Sequence, residues 1–434
     1  MSFWQKTIRF GFYSLSILVP LIWLPNTSEL FEFPKILLTY SLTAVIVGAW
    51  IADCLTQKRF LFRHTPLDFP LLIFLLSTLI SLLFSIDPHM SWYGYYSRWN
   101  GGFLSLLAYA LLYWSFVSNM DPKSTAKLIN CLLITAGIIA VYAGLEHFGV
   151  SLSCILTTGQ ANVSCWVQDV QNRVFATLGQ PNWLAAYFVA LVFIPISKTL
   201  HKFSLTQFLI FVLLFTTVLF TKSRSGLLAF GISSVVFWGI YFIRLGHLEI
   251  RSIRNFVAIN LLLLLFTIAF PNPVRDLVLK SAPAPAPAGP ALEVGGTESG
   301  TIRKIVWTGA IRIWQASAKN FLLGTGPETF AEAYYQFRPI EHNQTSEWEL
   351  LYNKAHNEFL NQLSTTGILG LLSYLVLLSF MAYSMLKTQS STLKTALFAG
   401  WLTIPVTNFW GFSVIVPQLL LFLLPAIAIA VSDP

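Results

Sequence analysis

Four basic side chains in this 434-residue chain stand at the edges of long apolar runs. Arg173 lies in "QNRVFATLGQPNWLAAY", Arg224 in "TKSRSG", Arg303 in "TIRKIVWTGAIRIW" and His356 in "KAHNEFLNQLSTTGILGLL". Guanidinium groups offer paired donors to phosphate oxygens, and each charge-assisted bond contributes about 1.5–3 kcal/mol. An imidazole can accept or orient a hydroxyl proton near neutral pH. A diphosphate leaving group held by several arginines needs no metal to neutralise the charge it develops. Together these residue types point to glycosyl transfer from a polyprenyl-diphosphate sugar to an acceptor hydroxyl. Gln180, Asn182 and Asn357 are added as supporting polar groups beside these residues.

Each residue has a plainer alternative. Arg173 and Arg224 could anchor helix ends among lipid headgroups, and Arg303 could lie on a solvated helix face. An isolated histidine at a helix mouth is often a capping or interface residue. Arg312 follows Arg303 by nine positions, half a turn out of phase on a helix, so the two cannot face one site. His342 repeats the His-Asn pair, but no apolar span follows it, and Glu146 and His147 read as interfacial. The histidines are scattered, with no metal-ligand spacing, and neither a phosphate-binding glycine loop nor a dinucleotide fingerprint occurs. No cofactor is expected.

The elements that must position these groups are membrane spans. The chain is 55% hydrophobic and 11% charged, whereas a soluble domain carries about 25% charged residues. Apolar runs of bilayer length recur at 8–25, 34–53, 69–86, 102–119, 128–148, 182–197, 205–221, 225–243, 255–271, 357–386, 393–410 and 413–431. The pattern predicts an all-α polytopic membrane protein with about 12 transmembrane helices. One set of loops carries Lys6, Arg9, Lys58, Arg59, Arg63, Lys123, Lys127, Lys198, Lys202, Arg244, Arg251, Arg254, Lys387 and Lys394. The opposite short loops carry few, Arg98 among them. The positive-inside rule therefore predicts a multi-pass protein of the cytoplasmic (inner) membrane, with both termini cytoplasmic and the four basic groups on the extracytoplasmic face. The net charge of +8 needs no nucleic-acid partner to explain it.

Three divisions follow: spans one to nine over 1–271, a large extracytoplasmic loop over 272–355, and the last three spans over 356–434. Residues 281–300 are too rich in Ala, Pro and Gly to pack and are expected to form a flexible tether, with helical structure over 301–340. Pro327 is expected near the first position of a helix. If the tenth span is a continuous helix, Gly367 and Gly370 share an azimuth with His356 and form a helix–helix seam. Cys154 and Cys165 share one outer loop, where an oxidising compartment favours a disulfide, two free thiols being the alternative.

The motifs "RVFATLGQPNWLAAY", "KSRSG", "TIRKIVWTGAIRIW…NFLLGTGPETF" and "AHNEFLNQLSTTGILGLL" occur in an order that resembles the O-antigen ligase/O-antigen polymerase superfamily, over about residues 170–385. The resemblance implies a GT-C-like membrane fold and a metal-independent transferase. Its donor would be an undecaprenyl-diphosphate-linked glycan, and its acceptor a lipid, glycan or protein hydroxyl. It implies diphosphate-binding roles for Arg173, Arg224 and Arg303, and activation or positioning of the acceptor hydroxyl by His356. The segment "GQPN" is similar to the protein-modifying branch, while the Ala/Pro-rich tether is not a family feature; ligase, polymerase and protein transferase all stay open. A lipid-linked sugar flippase is the alternative of another class. Such a protein would carry charged residues deep in its spans and paired broken helices, of which the sequence shows little.

Overall fold

The computed structural model describes residues 2–27, 29–245, 249–279, 299–387 and 391–431. Regular structure among them is helical. The first half contains α1 (Phe3–Leu21), α2 (Glu32–Gln57), α3 (Asp68–Leu83), the short α4 (Pro88–Tyr93), α5 (Phe103–Asn119), α6 (Pro122–His147) and the short α7 (Leu152–Thr158). Next come α8 (Pro181–Leu191) and α9 (Phe193–His201), which together form one rod, then α10 (Leu205–Phe220), α11 (Arg224–Leu245), α12 (Ile250–Ala269) and α13 (Pro273–Val278). The large loop supplies α14 (Ser299–Gln315), α15 (Ala318–Leu323) and α16 (Phe330–Phe337). Three long helices finish the chain: α17 (Glu358–Lys387), α18 (Thr392–Phe409) and α19 (Ile415–Ala430).

Six of these segments are long and apolar enough to cross a membrane: α2, α6, the α8–α9 rod, α11, α12 and α17. Shorter apolar helices, among them α3, α5, α10 and α19, pack between them. The centre is α19, whose residues are nearly all buried, set against α5, α18 and α8. At the periphery α6 exposes Ile134, Ile138, Val141 and Leu145, and α12 exposes Val257, Leu261, Leu264, Leu265 and Ile268. These stripes follow a helical period. An apolar stripe exposed on the outside of a bundle suits hydrocarbon, not water.

Side-chain bonds mark the two ends of the bundle. At one end Ser2 donates to Asp53 (2.7 Å), Arg9 pairs with Asp121 (2.6 Å) and Arg244 donates to the Ser391 carbonyl (2.9 Å). At the other end the buried Lys35 ammonium donates to the carbonyls of Ile22, Phe31 and Thr177 at 2.7–3.1 Å, and Glu32 accepts the Ile415 amide (2.9 Å). The site lies at this second end. Lys35 is fully buried and staples three chain segments together.

The large loop has its own small core of Ile302, Val306, Ala310, Ile313, Phe330 and Tyr334, closed by Tyr352 and Ala355. The tether expected over 281–300 lies outside the described residues, except that Ser299 and Gly300 already belong to α14. The loop is laced to a break in α17. Gly367 takes φ 67°, and a side chain there would strike the backbone of Leu322 and Leu323. The break leaves carbonyls of the preceding turn without helical partners, and the loop supplies donors: the Gly326 amide reaches Thr365 (2.8 Å) and the Thr325 amide reaches Ser364 (3.3 Å). The continuous-helix seam expected through Gly367 and Gly370 therefore does not form. Gly367 is a conformational joint, and Gly370 packs against Thr366 of its own helix.

The turn "GTGPETF" also departs from expectation. Its helix begins at Phe330, three residues beyond Pro327. Glu328 adopts φ 65°, while the Pro327 carbonyl accepts from the Ser91 hydroxyl (2.9 Å). That bond holds the turn against α4, and the left-handed backbone at Glu328 is not helical, so no helix starts at Pro327.

Candidate active site

Arg173 is carried by a loop fixed from beneath. Glu146, at the end of α6, is fully buried and accepts the amides of Phe175 (3.3 Å) and Ala176 (2.8 Å), while Arg173 Nε donates to the Thr221 carbonyl (3.2 Å). Glu146 is thus a buried anchor and not an interfacial residue. Gly179 turns the chain at φ 80° with the Phe31 ring against it, so the position requires glycine. Gln180 then takes the N-cap position of α8 without a side-chain capping bond, and Pro181 is the first helical residue.

Asn182 accepts the Ser223 hydroxyl (2.8 Å), and Ser223 in turn accepts the Gly226 amide (3.2 Å). This pair fixes the turn that presents Arg224. Arg224 is exposed as the first residue of α11. A cation at a helix N-terminus opposes the helix dipole, so helix stability does not account for its place.

Arg303 lies half-buried in the second turn of α14, whose apolar face of Ile302, Val306, Ala310 and Ile313 is buried. Arg312 is exposed, as the half-turn offset requires. His356 is half-buried just ahead of α17, in the left-handed region at φ 52°, a conformation a histidine adopts only when neighbours enforce it. The enforcement is local. Asn357 is buried and caps α17 by accepting the Leu360 amide (3.0 Å), and Asn361 accepts the Ala355 amide (3.2 Å). The rings of Tyr352 and Phe412 flank the imidazole with centroids at 5.1 and 5.3 Å.

A narrow cleft runs between these elements, lined by Gln180, Asn182, Trp183, Arg303, His356 and Phe412 among others. Arg173 and Arg224 stand outside its wall but within electrostatic reach. Burial lowers the pKa of Arg173, and Arg224 and Arg303 lower it further. Burial also lowers that of Arg303; Tyr352 and Glu347 oppose the shift, and Arg224 adds to it. For His356, burial, Arg303 and Arg98 together bring the imidazole down to about 4, which leaves it neutral at physiological pH. A set of cations that destabilise one another is organised for an anion.

The structure thus brings Gln180, Asn182, Arg303 and His356 onto one cleft, with Arg173 and Arg224 beside it. Asn357 acts behind His356 through the cap. Cys154 and Cys165 are disulfide-linked, with Cα atoms 5.5 Å apart, in the segment leading to Arg173. His342 is a buried member of the loop core, where its Nδ1 pairs with the Tyr334 hydroxyl (2.7 Å).

Sequence reasoning missed Arg98. Its guanidinium stacks over the cleft residues Trp183 (5.4 Å) and Phe412 (6.0 Å), its Nε is buried without a protein partner, and it depresses the His356 pKa. The one available signal was its aromatic setting in "YYSRWN", since the loop's charge count alone made Arg98 unremarkable.

Residues 209–375 match the model of the family described as O-Antigen ligase. Among curated proteins, no relative matches. The matched segment runs from α10 into α17 and carries Arg224, Arg303 and His356, while Arg173 and Arg98 lie before it. Over these residues the chain is similar to the O-antigen ligase/polymerase superfamily, a likeness that suggests a membrane glycan-processing enzyme.

Proposed function

We propose that the chain transfers a glycan from undecaprenyl diphosphate to an acceptor hydroxyl on the outer face of the cytoplasmic membrane. The observation that carries this reading is the grouping of Arg173, Arg224, Arg303 and Arg98 around a cleft that also holds a neutral imidazole. Arg303 binds diphosphate oxygens from the cleft wall, and Arg173 and Arg224 neutralise the same group from its rim. The acceptor oxygen attacks the anomeric carbon as the carbon–oxygen bond to the diphosphate breaks, which inverts the anomeric configuration. His356 takes the hydroxyl proton, and the bond electrons leave with the diphosphate. The bound diphosphate's negative charge offsets the arginines and raises the basicity of His356 when it is needed.

The reading includes a GT-C-like arrangement of twelve spans with both termini cytoplasmic, and needs no metal. The acceptor class divides ligase from polymerase and protein transferase, and the acceptor offered in the test decides among them.

The test is transfer by the full chain in lipid nanodiscs, with undecaprenyl-diphosphate glycan as donor and lipid, glycan and protein acceptors offered separately. His356→Ala is expected to lower turnover by about 10²–10⁴-fold, the range for loss of a general base. Full turnover in folded His356→Ala and Arg303→Ala proteins would falsify the assignment. Glycan movement across the bilayer with no new glycosidic bond would instead identify a flippase.

A further inference from the structure

A second cavity adjoins the arginine cleft. It lies between α3, α5, the turn at Glu328 and the first turns of α17. Its polar wall includes Glu328, Lys354, Glu358, Asn361 and Gln362, and the rings of Phe74 and Tyr374 supply an apolar wall.

Glu328 is the informative residue. It is 4% exposed, and its left-handed backbone turns the side chain into this wall. One carboxylate oxygen bonds the Lys354 ammonium, while Oε2 is buried without any protein partner. A buried acceptor in that state keeps its full desolvation penalty until a donor reaches it. Two carboxylates against one ammonium make the cavity's formal charge negative, opposite to that of the arginine cleft, so phosphate is disfavoured there. Carboxylates, amides and an ammonium beside an apolar wall suit a neutral polyhydroxylated ligand, whose hydroxyls both donate and accept.

The cavities share a wall. Lys354 lines one and His356, two residues on, lines the other. Lys354 Nζ stands 5.9 Å from the Phe412 centroid, and the His356 ring 5.3 Å from it. We propose that the second cavity is a saccharide subsite, in which Glu328 accepts a hydroxyl of one neutral sugar residue and holds that residue next to His356. The proposal rests on the glycosyl-transfer reading for its purpose but has its own binding test. The sugar can belong to the donor glycan or to the acceptor.

The full chain in nanodiscs free of glycoside detergent is to be probed by saturation-transfer NMR. The probes are the methyl glycosides of glucose, galactose and N-acetylglucosamine, with inorganic pyrophosphate binding followed separately. At least one glycoside is expected to bind, with a signal reduced about five-fold or more in Glu328→Gln and in Gln362→Ala, while both variants retain pyrophosphate binding. Arg303→Ala is expected to show the reverse pattern. Displacement of the glycoside by undecaprenyl-diphosphate glycan assigns the cavity to the donor, and displacement by lipid-free acceptor glycan assigns it to the acceptor. The proposal is overturned if no glycoside binds the unaltered protein, or if binding persists in the variants. If Glu328→Gln loses pyrophosphate binding as well, Gln362→Ala decides. Glu328-dependent sugar binding without pyrophosphate binding would remove the transfer reading and leave the subsite standing.

Discussion

His356 is held in place by the cap at Asn357 and by the rings of Tyr352 and Phe412, while burial, Arg303 and Arg98 keep it neutral. Its pKa, brought down to about 4, carries a sign that can be checked. A base works when deprotonated, so activity is lost as pH falls through that value and is present above it. Removing one depressing charge in Arg98→Gln raises the pKa, and the acid limb of kcat/KM, which reports the free enzyme, moves to higher pH. An acid limb that stays in place would show that Arg98 does not act on the imidazole. Arg303 and His356 could be singled out from sequence because each interrupts or borders an apolar run. Arg98, Glu146 and Glu328 could not, because their roles depend on partners far along the chain. Glu146 acquires its role only through amides about 30 positions away.

At the scale of elements, the break in α17 joins the large loop to the membrane bundle. Gly367→Ala would force a side chain into φ 67° and against the Leu322–Leu323 backbone, so destabilisation of about 1–3 kcal/mol or more is expected. A lowered midpoint in thermal unfolding is the readout, and an unchanged midpoint would mean the joint tolerates a side chain. The disulfide between Cys154 and Cys165 closes a short loop ahead of Arg173. Replacing both cysteines with serine is expected to cost about 3 kcal/mol of local stability in the chain-entropy account, seen as faster proteolysis between 150 and 172. Unchanged proteolysis would argue against it. Hydropathy located the helix centres well, since an apolar run is itself the signal. The joint was not legible: a glycine inside such a run reads as a packing contact, and only the loop's backbone makes it a turn.

For the whole molecule, the distribution of Lys and Arg predicts sidedness. With Cys54 and Cys131 replaced, Glu341→Cys is expected to react with a membrane-impermeant maleimide in intact cells, and Lys58→Cys only after lysis; both positions are exposed. The opposite labelling pattern would invert the topology and place the arginines inside. The large loop also bears on how substrates arrive. Three main-chain bonds, Ile86 to Thr325, Thr325 to Ser364 and Gly326 to Thr365, fasten it to α17 and to the end of α3. The Ser91 hydroxyl on the Pro327 carbonyl and the Ser81 hydroxyl on the Leu323 carbonyl add to this hold. On the proposed transfer reading, a lipid-linked donor would therefore come to the arginines sideways, between helices within the bilayer plane, with the loop left in place.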